Sequence, residues 1–421
     1  MTRLWVWTLA GVVIALISFT APSWAAAPGQ KVLYAFQGGT DGANPLNGLI
    51  FDASGNLYGA TAGGGTAGTG TVFELTPTAN GWSETVLYSF QGGVDAGYSN
   101  SSLVMDGAGH LYGTTLLGGT GDCNGTGCGT VFELTPPTNG GPWTESVLYS
   151  FQGGIDGTNP NSGVILDRFG NLYGTTNGGG TATACEGGCG TAFELSFVSG
   201  DWTKTTIHDF QAGTEDGAGP ASGLTMDGDG NLYGAMANGG AGGLGTVYQL
   251  SLSNGNWSEK ILYAFPGHVG GGGLQGRNPS SALVFDSKGN LFGTAAGGNA
   301  NGCCGVVFAL VPHPGGNWKE SVFRFTSQNG GAGTGPVVFD ASGNLYGTSP
   351  LSGQFKSGTA YRLKQGPRGG VTDTSYSFCS QTGCPDGSAP YGGLILDGSG
   401  NLYGTTFEGG LGYGVVYEIT P

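Results

Sequence analysis

The 421-residue sequence predicts an all-β protein, a seven-bladed β-propeller with four antiparallel strands per blade, closed by pairing an N-terminal strand with the last blade. Three observations lead there. One five-residue phrase recurs seven times at near-constant spacing. Each copy is embedded in four strand-like runs, and the repeats begin on a fourth-strand sequence and end on a third-strand one.

The phrase Gly-Asn-Leu-Tyr-Gly begins at Gly55, Gly170, Gly230, Gly343 and Gly400, with near-copies at Gly109 (His110 for Asn) and Gly289 (Phe292 for Tyr). Successive starts are 54, 61, 60, 59, 54 and 57 residues apart. A period of this size fixes the architecture before any residue is considered singly. The second unit shows the four runs: Ser102–Asp106, Leu111–Thr115, Gly129–Thr135 and Glu145–Phe151. β-Branched and aromatic residues fill them, and Gly, Pro, Asn and Asp separate them. A four-stranded sheet this small buries its two faces only by stacking on neighbours, so the repeats must form an array.

The ends close the array. Lys31–Phe36 (KVLYAF) is a fourth-strand sequence with no first strand before it, and Gly414–Thr420 (GVVYEIT) is a third strand with no fourth after it. Pairing them completes a seventh blade and removes two open sheet edges. Residues 26–421 are then one propeller domain.

Between first and second strands every unit carries Asp-x-x-Gly, at Asp52, Asp106, Asp167, Asp227, Asp286, Asp340 and Asp397. The carboxylate accepts backbone N–H groups within the turn and the Gly takes the positive φ of the hairpin. A residue demanded by every turn is explained by the turn, so these seven are not read as metal ligands. The repeat Tyr and Trp82, Trp143, Trp202, Trp257 and Trp318 are read as packing between blades.

Composition excludes several classes. Gly accounts for 90 residues, but 38% hydrophobic and 11% aromatic content supply the apolar surface that disordered chains lack. The net charge is −15 and the 13 basic residues form no stripe, which excludes the footprint of a nucleic-acid binder. Residues 1–25 have the form of a secretory signal peptide: Arg3, an apolar stretch Leu4–Phe19, and Ser23-Trp24-Ala25 before the cleavage point. That stretch is shorter than the roughly 20 residues a spanning helix needs, so the product is expected to be released, outside the cell or in a periplasm, and free of the membrane.

The consensus GNLYGTT…GG…GTVFELTP…WTE-VLYSFQGG-DG resembles the GloVer tandem-repeat family, secreted bacterial proteins with a choice of anchor, from about Lys31 onward. The resemblance implies an exported, repeat-built protein, with a C-terminal sorting tail in some members; here nothing follows the final strand. It brings no catalytic residues. A lesser likeness to the turns of NHL-type propellers supports the fold alone.

Propeller loops alternate between faces, so the Asp-x-x-Gly hairpins and Trp-bearing turns share one regular face. The opposite face carries the loops from fourth to next first strand, with Asp41, Asn44, Asp95, Asp156, Asn159, Asp216, Asn278 and Asp386, and the variable loops from second to third strand. All eight cysteines fall there. An even count in an exported chain implies disulfides, and since each pair is confined to one loop and other partners are on distant blades, four local bridges are expected: Cys123–Cys128, Cys185–Cys189, the vicinal Cys303–Cys304, and Cys379–Cys384. A cysteine zinc site fails, because the pairs lie on separate blades without His partners.

No HExxH, GxSxG or paired-His spacing occurs, and His110, His208, His268 and His313 read as incidental. Arg168, Arg277, Arg324 and Arg362 do not converge as a sialidase site would. The leading expectation is a non-enzymatic propeller that binds an extracellular glycan or protein through the disulfide-pinned acidic face. It is expected as a monomer, with no required cofactor and with room for Ca²⁺ on Asp and backbone carbonyls. The alternatives are a carbohydrate-active hydrolase or lyase using loop carboxylates at the channel mouth, and a structural envelope protein.

Overall fold

A computed structural model describes residues 29–220, 222–266, 276–297, 305–325, 335–366 and 369–421. The leader 1–25 and the Cys303–Cys304 pair lie outside the described residues. Seven antiparallel sheets form the blades, each ordered from an inner first strand to an outer fourth strand. Blade 2 runs Val104–Met105, Leu111–Thr115, Thr130–Thr135 and Thr144–Ser150. Its first strand is two residues long, shorter than the five expected, because Ser102 and Leu103 turn onto the axis where the blades converge.

Closure occurs as the two ends require. Gly29–Ala35 pairs antiparallel with Val415–Thr420, Gly29 opposite Thr420 and Ala35 opposite Val415, and the Phe36 N–H donates to the Gly414 carbonyl at 3.1 Å. The Asp hairpins are equally regular. In blade 1, Asp52 Oδ1 accepts the N–H groups of Ser54 and Asn56, both at 2.8 Å, while Oδ2 accepts the Asn56 amide at 2.8 Å. Asp106, Asp167, Asp227, Asp286, Asp340 and Asp397 accept the corresponding backbone N–H groups.

The core lies in the seams. Each hydrophobic cluster joins two adjacent blades, as where Phe90 of blade 1 meets Leu103, Leu111 and Phe132 of blade 2. At every seam the Phe that ends a fourth strand stacks edge-on or tilted against the third-strand aromatic of the next blade. The pairs are Phe36–Phe73, Phe90–Phe132, Phe151–Phe193, Phe210–Tyr248, Phe265–Phe308, Phe325–Tyr361 and Phe378–Tyr417, with ring centroids 4.7–5.2 Å apart. That second ring in turn covers the last Gly of its own Gly-Asn-Leu-Tyr-Gly phrase. A Cβ on Gly59 would sit 2.6 Å from Phe73 Cζ, and Gly113, Gly174 and Gly293 are equally tight. The phrase therefore ends in Gly because a ring occupies the space. The repeat Tyr and Trp also meet across seams, as Tyr58–Trp143, Trp82–Tyr403 and Tyr173–Trp257.

Fourth strands carry a bulge in all blades but blade 5, whose strand Trp318–Arg324 pairs without a register shift. Its sequence is one residue shorter between Glu320 and Phe325 than between Glu259 and Phe265, so no residue is left over to bulge. Blades 4 and 5 gain a short strand each, Gly217–Pro220 and Arg277–Pro279, from the loop entering the blade. Arg277, read from the sequence as a loop residue, is thus paired opposite Gly297.

Candidate functional site

The entering loops and the second-to-third-strand loops touch each other, as the bridges Ala43–Gly63, Thr158–Gly178 and Ser388–Glu408 require. They therefore form one face. At six seams an entering-loop N–H donates to a carbonyl of the preceding blade: Asn44 to Tyr413, Tyr98 to Thr69, Asn159 to Cys128, Gly219 to Cys189, Asn278 to Leu244, and Ala389 to Ser357. Three disulfides brace this face, Cys123–Cys128, Cys185–Cys189 and Cys379–Cys384, with Cα separations of 5.1, 5.2 and 4.1 Å. Two of them supply the accepting carbonyl, so the bridges hold the seam as well as the loop.

The acidic and amide residues singled out in the sequence have local partners. Asp41 accepts from the Tyr34 hydroxyl at 2.9 Å and the Gln37 N–H at 2.8 Å. Asp95 does the same with Tyr88 and Gln91, and Asp156 with Tyr149 and Gln152. Asp386 bonds Tyr376 and the Cys379 N–H, and Asp216 bonds the N–H groups of Gln211 and Gly217. The Asn44 and Asn278 amides donate to Phe407 and Ala237 of the preceding blade. Each of these groups shapes its own loop or seam, and the fold does not gather them at one point.

A cavity of about 330 Å³ lies on the axis, and residues from every blade line it, including Gly48, Leu103, Ser162, Gly223, Ser281, Pro336 and Tyr391. Among the described residues its lining includes no Asp, Glu, His, Lys or Arg.

Charge instead accumulates in the seams, between one fourth strand and the next. Glu84 faces Asp41, Glu145 faces Asp95, and Glu259 faces Asp216; Lys204 takes this place opposite Asp156. Burial and the neighbouring Asp push Glu84 and Glu145 each up to about 7. Burial also opposes ionisation of Asp156, yet the Lys204 ammonium at 2.8 Å, the Gln152 N–H and the Tyr149 hydroxyl outweigh it and hold that carboxyl below its ordinary value.

The two glutamates make stability depend on pH in a definite direction. A carboxyl whose folded value lies above its unfolded 4.5 stabilises the fold fully below about 4.5, and that contribution is lost as the pH rises through about 7. After discounting for solvent screening, each seam is worth on the order of 1 kcal/mol. The Glu84→Gln/Glu145→Gln double variant is expected to match the parent in denaturant titrations at pH 5 and to exceed it by about 2 kcal/mol at pH 8. Equal stability at pH 8 refutes the assignment.

The loop face also carries much of the exposed large apolar surface. Val94, Tyr98 and Ile155 stand on entering loops, and Leu351, Phe355, Leu411 and Tyr413 on the second-to-third-strand loops of blades 6 and 7. Tyr98 is the unusual one. It is 44% exposed with φ of +55°, at the position held elsewhere by Asn44, Asn159, Gly219, Asn278 and Ala389. Asn and Gly tolerate the left-handed region, whereas a bulky aromatic there is an outlier of a kind that clusters at functional sites.

Sequence reasoning did not select Tyr98 or the apolar loop tips, and it set His208 aside. His208 faces Asp216 and Glu259 across the seam between blades 3 and 4, and these three are the described residues that could hold a metal ion together. Aligning the fourth strands of the repeats would have drawn attention to it, because His208 occupies the place of Tyr34, Tyr88, Tyr149, Tyr263 and Tyr376.

Among solved structures the chain resembles a putative 6-phosphogluconolactonase from Bacteroides uniformis, with a TM-score of 0.52, 14% identity, and 85% of this chain and 89% of that one covered. It also resembles a protein from Lactobacillus plantarum, with a TM-score of 0.50, 15% identity and coverage of 83% and 91%. A polysaccharide lyase, an ulvan lyase, aligns with a TM-score of 0.48, 14% identity and coverage of 82% and 86%. At these identities the first two likenesses speak to the fold alone, and that to the lyase carries no argument. No curated protein matches the sequence significantly. Among the described residues no helix is long and apolar enough to cross a membrane. The sequence does match a repeat family, over residues 24–183, 123–273 and 186–417, and the chain belongs to that family, the Gloeobacter/Verrucomicrobia repeat family.

Proposed function

We propose that this is an exported binding propeller, which takes a glycan or protein partner on its loop face. The observation that carries the reading is the exposed apolar set Val94, Tyr98, Ile155, Leu351, Phe355, Leu411 and Tyr413 on that face, with Tyr98 held in the left-handed region. Exposed aromatic and aliphatic side chains on braced loops suit a partner bound by stacking and apolar contact. Asp41, Asp95, Asp156, Asp216 and Asp386 contribute by setting the loop shapes that present this surface, and Ca²⁺ is not needed for that role. Export rests on the leader sequence 1–25 and on three disulfides, which persist in oxidising compartments. The described residues lining the axial cavity are uncharged, which favours binding over catalysis by carboxylates at the channel mouth.

The test is a glycan-array and protein-interaction screen of residues 26–421, with and without Ca²⁺, followed by Tyr98→Asn and Leu411→Ser/Tyr413→Ser. The first variant restores the residue that other repeats use. It is expected to raise stability by about 0.5–1 kcal/mol and to weaken binding at least tenfold. A ligand held equally well by all variants, or silence throughout the screen, sinks the reading.

A further inference from the structure

We propose that His208, Asp216 and Glu259 bind a divalent transition-metal ion of the zinc class in the seam between blades 3 and 4. The repeat provides its own controls. At four other seams a fourth-strand Tyr hydroxyl donates to the entering-loop Asp: Tyr34 to Asp41, Tyr88 to Asp95, Tyr149 to Asp156 and Tyr376 to Asp386, at 2.7–3.0 Å. From the next blade, Glu84, Glu145, Lys204 or Gln30 reaches the same place. Between blades 3 and 4 the Asp and Glu are kept, but imidazole replaces the phenol. One seam thus holds one nitrogen and two carboxylates, a donor set suited to Zn²⁺.

The geometry fits coordination better than hydrogen bonding. His208 Nε2 lies 3.6 Å from Asp216 Oδ2 and 3.6 Å from Glu259 Oε2, and the three donor atoms all lie within 4.8 Å of one another. A contact of 3.6 Å is too long for a hydrogen bond. Two ligands about 2.1 Å from a shared tetrahedral ion are, however, about 3.4 Å apart.

The second observation is that two of these residues, Glu259 and His208, have buried polar atoms without a partner. The Glu259 side chain is only 9% exposed and its Oε1 is buried without a hydrogen-bond partner, as Glu84 Oε1 and Glu145 Oε1 are in their seams, but here a buried and unbonded imidazole nitrogen, His208 Nε2, joins the carboxylates. Leaving such groups unsatisfied is costly. In the neighbouring seam the same requirement is met from within the chain, where the Lys204 ammonium bonds both the Asp156 carboxylate and its backbone carbonyl. Between blades 3 and 4 no lysine stands at this place among the described residues, and a bound cation would take that role. Asp216 is already oriented, since its Oδ2 accepts from Gln211 N–H at 2.7 Å and its Oδ1 from Gly217 N–H at 2.6 Å. The His208 ring is steadied against Phe210, centroids 4.7 Å apart. Preorganised ligands of this kind raise affinity.

The repeat also names the control variants. His208→Tyr and Glu259→Lys install the residues that adjacent seams already use, so both are expected to fold. Chelator-stripped protein should take up one Zn²⁺ per chain in calorimetric titration and in competition with a chromogenic chelator. Zn²⁺ should also raise the melting temperature of the parent chain. Each variant should bind Zn²⁺ about 100-fold more weakly and show no Zn²⁺-dependent melting shift. A parent chain that takes up no stoichiometric Zn²⁺, one that takes up Ca²⁺ in its place, or variants that bind Zn²⁺ as tightly as the parent would each overturn the proposal. The outcome is independent of whether the loop face binds a partner.

Discussion

A chain lacking Gly29–Phe36 is expected to lose its fold. Six backbone pairs between Gly29–Ala35 and Val415–Thr420 disappear, and with them the buried side chains of Leu33 and Phe36. The lost hydrogen bonds are worth about 1 kcal/mol each, and the two apolar side chains about 1.5–3 kcal/mol each. The sum, on the order of 10 kcal/mol, rivals the whole stability of an ordinary domain. The third strand of blade 7 would become an open edge, Phe73 of blade 1 would lose its ring contact with Phe36, and unpaired edges recruit other chains. Size-exclusion chromatography with light scattering should show oligomers or aggregate, and circular dichroism should show no cooperative melt near the parent's. A circular permutant that carries residues 29–36 after Pro421 should regain both. A truncated chain that keeps the parent's size and melts with it defeats this account of closure.

The second large effect is expected at the closing Gly of the repeat phrase. Gly174→Ala should cost about 3 kcal/mol, at the upper end of overpacking penalties. The new Cβ would stand 2.6 Å from Phe193 Cζ, 3.0 Å from its Cε1 and 3.2 Å from Val164 Cγ1. Phe193 is fully buried and wedged against Phe151 of the preceding blade, so the ring cannot move aside. Phe193→Leu removes the obstructing atoms at its own cost. The Gly174→Ala/Phe193→Leu double variant should therefore be more stable than the two single losses predict when added, by 1 kcal/mol or more in a double-mutant cycle. Strict additivity would show that the Gly is there for some other reason.

These residues also show why some features were legible in the chain and others were not. The Asp52-type hairpins and the local disulfides Cys123–Cys128, Cys185–Cys189 and Cys379–Cys384 each depend on atoms a few residues apart. Repetition multiplies that local signal sevenfold. The third-strand rings of Phe73, Phe132 and Phe193 were visible as part of a strand, but their contact with the repeat Gly was not, because a sheet's lateral register decides it. The loop acids Asp41, Asp95 and Asp156 were visible as charges. Their engagement by Tyr34, Tyr88 and Tyr149 depends on how the entering loop folds back on the strand before it.

By itself the sequence determined the number of blades, the closure of Lys31–Phe36 on Gly414–Thr420 and the division into a regular and a variable face. Period and strand alternation express these at every repeat. Only the tertiary structure decided that His208 of one repeat meets Glu259 of the next, that the described residues lining the axial cavity carry no charge, and that Tyr98 stands out from its loop. The physical reason is that such meetings depend on the rotation between neighbouring blades. That rotation is set by aromatic packing in the seams, which no single repeat contains.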